Sequence, residues 1–206
     1  MAENDMLAMP VRDFSAAVAA KTPTPGGGSV AGVVGALGTA LGEMALNFTR
    51  GKKKYAEHEA LHAQVAHRLE RARRMFQDLV ADDVSAFRLY QEASAKEDSP
   101  QKAEAVQLAI SAAAAVPREM TKLSLAVLAD LLNLTDKCSP FLLSDLVAGA
   151  ALSAATVRLC HYNILINAPQ ITDRPAAEEL RKASGNDLAR ANGLLHAIEE
   201  ATRYST

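Results

Sequence analysis

The sequence predicts an all-α protein, an up-and-down bundle of about six helices with two buried central helices that are rich in glycine and alanine. No segment of the 206 residues alternates apolar and polar side chains for long enough to predict a β-strand. Apolar side chains recur instead at the spacing of an α-helix, and short breaks with proline, serine or aspartate separate the helical stretches. We therefore expect one helical domain over residues 1–206.

The first two helices are predicted at residues 11–20 and 29–49. The second contains four glycines at helical spacing, which leave one side almost without side chains: Gly32, Gly35, Gly38 and Gly42. Because a glycine inside a helix costs roughly 1 kcal/mol, we expect another helix or a flat ligand to lie very close to that side. Glu43 and Asn47 interrupt the apolar run from 30 to 48, which favours a buried helix of a bundle over a membrane span.

The next two helices are predicted at residues 56–95 and 100–135. The first of these carries a long apolar stripe at 3.6-residue spacing and a charged opposite face. Ser99 can cap the second, and Pro100 suits its first position because that residue needs no backbone donor. Pro117 falls inside this helix, where we expect a kink or a missing backbone hydrogen bond.

The last two helices are predicted at residues 140–167 and 173–203. The fifth consists almost wholly of small and apolar residues, like the second, so we expect both of them to be buried in the core. Pro169 ends the fifth helix, and Asp173 with Pro175 begins the more polar sixth helix.

Composition excludes some classes of protein. A net charge of −2, with 4% aromatic residues and no tryptophan, argues against a nucleic-acid-binding protein. Cys138 and Cys160 have neither metal-site nor redox-motif spacing, which favours buried thiols in a reducing cytoplasm. The N-terminal segment MAENDMLAMPVRD lacks the basic region and apolar core of a signal peptide, so we expect a cytoplasmic location.

A proline- and glycine-rich segment, residues 22–29, precedes the second helix and is the first candidate site. Its prolines stiffen the chain, its glycines allow close approach, and Ser29 is a suitable N-cap. Free N–H groups at such a helix start can bind a carbonyl oxygen or an anion. Four cations follow the other end of the helix: Arg50, Lys52, Lys53 and Lys54. A plain linker and a solvated helix end are the alternatives; the glycines match neither a Walker loop nor a dinucleotide fingerprint.

The segment from His58 to His62 spells H-E-x-x-H, the pattern of zinc proteases. No downstream helix places a third ligand well, and the motif begins a polar helix beside three lysines. We therefore expect no metal here and a solvated helix face.

Two carboxylates and two amides are the remaining candidates for chemistry. Asp83 lies on the apolar side of the long third helix, and Asp145 lies in a helix built for burial. A carboxylate at such a position is costly unless it is paired, hydrogen-bonded or used in function, although the helix dipole also favours an aspartate in a first turn. Asn163 and Asn167, four residues apart, must face the same way, either toward a ligand or toward the helix C-terminus.

These motifs resemble the cyclodeaminase/cyclohydrolase family of folate enzymes, which comprises the C-terminal half of formiminotransferase-cyclodeaminase and free-standing bacterial methenyltetrahydrofolate cyclohydrolases. The resemblance covers nearly the whole chain in order: Thr22-Pro23-Thr24-Pro25-Gly26-Gly27-Gly28-Ser29-Val30-Ala31, Asn47-Phe48-Thr49, Gly51-Lys52-Lys53-Lys54-Tyr55, Asp83, Ala86-Phe87, Val116-Pro117, Ser144-Asp145, Asn163-Ile164 and Ile166-Asn167. Cys138-Ser139-Pro140 departs from the family's Gly-Asn-Pro, and Lys102 stands nearest to a family arginine.

The resemblance implies a helical homodimer that binds a tetrahydrofolate derivative in a groove. From the composition and the motifs we expect no metal, no membrane and no nucleic acid as partners. The resemblance also implies formiminotetrahydrofolate cyclodeaminase activity; methenyltetrahydrofolate cyclohydrolase activity and an inactive folate-binding or structural dimer are the alternatives. Asp83 and Asp145 are the expected catalytic residues, one to supply a proton and one to sit near the growing cation. The expected substrate-binding residues are Pro25, Gly26, Gly27, Gly28, Ser29, Lys52, Lys53, Lys54, Tyr55, Asn163 and Asn167.

Overall fold

The computed structural model describes residues 6–203 and confirms the all-α prediction, with no strand within that range. The long helices are α1 (Val11–Ala19), α2 (Gly27–Asn47), α3 (Glu59–Ser94), α4 (Pro100–Leu134), α5 (Leu143–Asn167) and α6 (Arg174–Thr202). Short 3-10 helices occupy Met6–Ala8, Lys53–His58, Pro140–Leu142 and Ala168–Gln170. The single domain over residues 1–206 stays a prediction, and both chain ends, including the first five residues of the N-terminal segment, lie outside the described residues.

The helix starts follow capping chemistry at two of the predicted places. The Ser99 hydroxyl accepts a hydrogen bond from the Lys102 backbone N–H (3.1 Å), and Asp173 accepts one from the Ala176 N–H (3.1 Å). The prediction that Ser29 caps α2 is wrong. Gly26 occupies the N-cap position and has no side chain with which to cap the helix. Ser29 is already inside the first turn.

The central helices are α2 and α5. Helix α2 packs against α3, α4 and α5, while α5 also packs against α4 and α6. The side chains between them form one apolar core, whose fully buried members include Leu46, Leu69, Phe76, Leu128, Leu131 and Leu146. Helix α1 buries none of its residues and lies outside this core.

The glycine side of α2 is where neighbouring helices come closest, as the sequence predicts. A Cβ atom added at Gly35 would lie 2.5 Å from a ring carbon of Phe76 on α3. One added at Gly38 would lie 2.9 Å from the backbone carbonyl oxygen of Gly149 on α5. Real Cβ atoms do not come this close to other atoms, so only glycine permits the observed packing of α2.

Charged residues on the surfaces of the long helices pair across helix boundaries. Arg68 on α3 donates to both carboxylate oxygens of Asp130 on α4, at 2.6 and 2.9 Å. Arg73, also on α3, donates to Glu43 on α2 at 2.6 and 3.2 Å. Both pairs have the two-pronged geometry that an arginine and a carboxylate favour, and they tie α3 to each of its neighbours.

Two segments, Gly27–Asn47 and Pro140–Gln170, are long and apolar enough to cross a membrane by length and composition alone. Core helices of globular proteins share this property, and 56% of the apolar window in α2 is buried inside the bundle. The burial of α2 inside the bundle accounts for its apolar composition.

Alanine substitution at two glycines tests this packing. Gly38→Ala should lower the free energy of unfolding by about 1–3 kcal/mol, because the new methyl group meets a rigid backbone carbonyl. Gly185→Ala in α6 is the matched control, since nothing lies within 4 Å of its added Cβ. That variant should gain about 0.5–1 kcal/mol from helix propensity. Urea unfolding measures both, and equal effects at the two positions would contradict the packing.

Candidate functional site

A cavity of about 330 Å³ opens at the end of the bundle where α2 begins. It is bounded by the proline-glycine segment and by one face each of α3, α4 and α5. The lining residues are Pro23, Thr24, Gly26, Gly27, Gly28, Asp83, Ala86, Phe87, Tyr90, Ile110, Ala113, Val116, Pro117, Met120, Asn163, Ile166, Asn167 and Gln170. The wall is therefore mostly apolar, with a few polar groups, which is the usual composition of a small-molecule site.

The proline-glycine segment forms one edge of the cavity. Its Thr24–Pro25 peptide bond is cis, and Pro25 is buried beneath the edge. Gly27 and Gly28 are the first two residues of α2, where backbone N–H groups have no partner within the helix. Because neither residue has a side chain, a ligand or a neighbouring side chain can reach these N–H groups.

Asp83 of α3 is the side chain that lies against this helix start. A Cβ atom at Gly28 would overlap the Asp83 carboxylate, so the approach of the two helices requires glycine there. The buried Ser29 hydroxyl donates a hydrogen bond to Asp83 Oδ2 (2.8 Å), and the Ser29 backbone N–H donates to the same carboxylate. Asp83 thus satisfies the start of α2 from a neighbouring helix, in place of a cap within the chain segment itself.

The pKa of Asp83 is raised above its ordinary value. Burial is the larger cause because it disfavours the charged form, while the two hydrogen bonds from Ser29 act in the opposite direction. A carboxyl group with a raised pKa in a cavity is a candidate for proton transfer.

Asn163 and Asn167 both line the cavity from α5, so their spacing places them on the same wall, as predicted. The Asn163 amide nitrogen donates to the Leu159 carbonyl oxygen (3.2 Å), which fixes its side chain against the helix. Its amide oxygen lies toward Gly27, 3.5 Å from where a Cβ of that residue would be. A ligand in the cavity would therefore find amide groups opposite the start of α2.

The structure does not bring Asp145 to this cavity. Asp145 is in the first turn of α5, whereas Asn163 is near the last turn, and helix geometry separates the two by about 27 Å. The two predicted catalytic carboxylates are thus far apart within one chain, because they occupy opposite ends of the bundle. A catalytic role for Asp145 stays a prediction.

The basic cluster also lies away from the cavity. Lys52, Lys53, Lys54 and Tyr55 follow the C-terminal end of α2, about 30 Å along the helix from Gly27. The three lysines are exposed, and Tyr55 is buried. Within one chain, none of these predicted binding residues lies at the glycine segment, because α2 itself separates them from it.

The H-E-x-x-H segment has a different structural role from the one we expected. His62 is fully buried, and its Nε2 lies 2.8 Å from the Lys137 carbonyl oxygen, so a solvated helix face is wrong for this residue. Glu59 pairs with Arg50 at 2.9 Å instead of facing a metal. Within residues 6–203, no three His, Cys, Asp or Glu side chains are grouped to bind a metal ion.

Both cysteines are free and buried, as predicted. Burial raises the pKa of Cys138 to about 11 and that of Cys160 to about 12, so both thiols stay protonated at neutral pH.

Helix α4 contributes a wall of the cavity, although the predicted substrate-binding residues include none of it and its Val116-Pro117 pair entered only through the family resemblance. This wall consists of one face of the helix, made up of Ile110, Ala113, Val116, Pro117 and Met120. Pro117 was the signal in the sequence for this wall. A proline in the middle of a continuous 35-residue helix destabilises the helix, which indicates another role for the residue.

Comparison with known proteins places this site in a family context. The profile of the formiminotransferase-cyclodeaminase family matches residues 10–185. A methenyltetrahydrofolate cyclohydrolase of Methylorubrum extorquens is 34% identical over 199 residues, which cover 94% of this chain and 95% of that protein. Formimidoyltransferase-cyclodeaminase of Gallus gallus is 31% identical over 83% of this chain, which spans only 32% of that longer protein.

A solved structure agrees with these sequence matches. The crystal structure of formiminotetrahydrofolate cyclodeaminase from Thermotoga maritima matches with a TM-score of 0.87 and 30% identity, covering 95% of this chain and 96% of that one. The resemblance inferred from the sequence motifs is therefore confirmed.

The raised pKa of Asp83 predicts a pH-dependent difference in stability. The native state holds the Asp83 proton more tightly than the unfolded state does, so this group stabilises the fold at low pH. That contribution is lost as the pH rises from 3.8 through the raised native pKa. The Asp83→Asn variant has no carboxyl at this position to ionise. Its free energy of unfolding should therefore increase relative to that of the wild type as the pH rises toward 7. Urea unfolding at several pH values measures this difference. If the free energies of unfolding of the two proteins changed equally with pH, the result would contradict the raised pKa.

Proposed function

The chain belongs to the formiminotransferase-cyclodeaminase family, and on that premise we propose that it closes 5-formiminotetrahydrofolate to 5,10-methenyltetrahydrofolate with release of ammonia. One observation carries the proposal: the Asp83 carboxyl, with its raised pKa, lies in the cavity wall against the start of α2. The surrounding wall is mostly apolar, which suits a pteridine ring, and amide and backbone groups lie at its edge.

The reaction requires one proton to be moved between two nitrogens. N10 of the protonated substrate attacks the formimino carbon and forms a new C–N bond, and N10 then loses its proton. The former formimino nitrogen gains that proton, its bond to the carbon breaks, and it leaves as ammonia. The positive charge of the substrate is kept on the methenyl bridge, so atoms and charge balance.

Asp83 is placed to carry this proton. As a carboxylate it accepts the proton from N10, and as a carboxylic acid it donates the proton to the departing nitrogen. A raised pKa brings the two forms closer in population near neutral pH, which favours both steps. The hydroxyl of Ser29 holds Oδ2, while Oδ1 lies closest to Gly28 at the cavity edge.

The remaining polar groups suit the binding of the ligand's heteroatoms. The N–H groups at Gly27 and Gly28 can donate to a carbonyl oxygen, and the amides of Asn163 and Asn167 can both donate and accept. None of the cavity-lining residues is a lysine or an arginine, so the anionic glutamate tail would extend beyond the cavity.

Methenyltetrahydrofolate cyclohydrolase activity is the second candidate. The Methylorubrum extorquens relative favours it, since that protein bears this name and matches this chain over almost the full length of both. In this reaction water adds to the methenyl carbon and gives one proton to Asp83. The bond from that carbon to N5 then breaks, leaving the 10-formyl compound, with one proton bound at N5 and the other released.

A homodimer is part of the proposal. An apolar stripe at helical spacing runs along α2 to the residue that follows it: Leu37 is 55% exposed and Phe48, just beyond the helix, is 57% exposed, with Leu41 and Met44 half-buried between them. A second copy of the chain would bury this stripe. Within one chain, Asp145 and the lysine cluster lie about 30 Å from the cavity. In a dimer, the second copy could bring its own Asp145 and lysines to that cavity.

Assays with purified protein test the activity. Methenyl absorbance should rise with 5-formiminotetrahydrofolate as substrate for a cyclodeaminase and fall with 5,10-methenyltetrahydrofolate as substrate for a cyclohydrolase. Asp83→Asn should reduce kcat at least about 100-fold in whichever assay is positive, because it removes the proton carrier. Wild-type protein that changes neither substrate and binds no folate in calorimetry would overturn the proposal and favour a structural role.

Asp145→Asn is the companion variant in the same assay. A loss as large as that of Asp83→Asn would place Asp145 in the catalytic set through a second copy. A rate close to that of the wild type would remove it from that set.

The dimer is tested by light scattering after size-exclusion chromatography, with an expected mass of about twice the 21.8 kDa of the chain. Leu37→Glu should shift the protein to monomer, because it places a charge in the stripe that a second copy would bury. Leu108→Glu on α4 is the control, since this leucine is 73% exposed and belongs to a different helix from the stripe. A wild-type monomer, or an effect of both variants alike, would contradict the proposed interface.

A further inference from the structure

Pro117 leaves one backbone carbonyl of α4 without its regular helical partner. In an α-helix each carbonyl oxygen accepts from the N–H four residues further on, and proline has no N–H. Pro117 lies in the middle of α4, which continues without interruption from Pro100 to Leu134. The oxygen that loses its donor is therefore that of Ala113.

Ala113 itself lies on the face of α4 that lines the cavity. Ala113, Val116 and Pro117 all belong to the lining, and a helical carbonyl points along the axis toward the residue four positions later. The Ala113 oxygen is thus directed between Val116 and Pro117, within the cavity wall. The hydroxyl of Ser111, two residues earlier in the helix, donates instead to the Gln107 carbonyl oxygen (2.9 Å).

The freed oxygen differs in chemistry from the side chains around it. The side chains that α4 contributes to the cavity are all apolar: Ile110, Ala113, Val116, Pro117 and Met120. The polar side chains that line the cavity lie on other elements: Asp83 and Tyr90 on α3, Asn163 and Asn167 on α5, and Thr24 and Gln170 outside the long helices. A carbonyl oxygen on α4 supplies a hydrogen-bond acceptor, with no proton to donate, in the middle of an apolar surface.

We propose that the Ala113 carbonyl oxygen accepts a hydrogen bond from a ring N–H or amino group of the bound pteridine, and that Pro117 is the positioning residue that frees it. This inference rests on the proposed function, because it assigns an orientation to the folate in the same cavity. The flat ring lies against the apolar face of α4, and its donor edge meets the one acceptor there. A proline in the interior of a helix is destabilising, and a ligand contact gives that cost a function.

The test compares two variants of neighbouring wall residues with 5-formyltetrahydrofolate as the probe, measured by calorimetry. Pro117→Ala supplies an N–H that satisfies the Ala113 oxygen within the helix, so the Kd should rise about tenfold while the protein becomes no less stable. Val116→Ala removes apolar volume from the same turn but keeps the backbone pattern, and its Kd should rise clearly less. Equal effects of the two variants would overturn the assignment.

A co-crystal of the wild type with the same probe gives a second, independent readout. A ring nitrogen of the pteridine within about 3.2 Å of the Ala113 oxygen supports the inference, and a bound pteridine with no nitrogen near that oxygen overturns it. Wild-type protein that does not bind the probe at all would instead contradict the proposed function. The two failures are therefore distinguishable.

Discussion

The close packing of the glycine side of α2 against α3 is the constraint on which the rest of the structure depends. Gly28, Gly32 and Gly35 follow one another along one side of α2, and they meet Asp83, Val80 and Phe76 of α3 in that order. The two helices are therefore antiparallel along one continuous seam. Asp83 occupies the place in this seam where the pattern of α3 would otherwise put an apolar side chain, so a carboxyl group is held in a core position.

The chemistry of the site follows from that position. A carboxyl at the end of an apolar seam loses much of its hydration, which raises its pKa, and it recovers part of the loss from the hydroxyl and N–H of Ser29. The same contact satisfies the start of α2, which has glycine at its N-cap and no capping side chain of its own. The packing of α2 on α3, the satisfied start of α2 and the raised pKa of Asp83 thus depend on the single approach of Asp83 to Gly28.

The other walls of the cavity have separate origins. Helix α5 presents two amides because Asn163 and Asn167 are one turn apart, while α4 presents an apolar face with an internal proline. Family membership agrees with this arrangement, since the relatives match over the region that contains all three walls and the glycine segment.

The sequence by itself determined the helical class, the breaks between the helices, the burial of α2 and the close approach to its glycines, because periodicity and propensity are local properties. It also identified Asp83, the glycines and the asparagine pair, since each stands out from its local pattern. Only the tertiary structure decided that Ser29 binds Asp83 instead of capping its own helix, and that His62 is buried against a carbonyl. Only the tertiary structure separated Asp145 and the lysines from the cavity, because distance between the ends of long helices depends on how the helices are arranged in space.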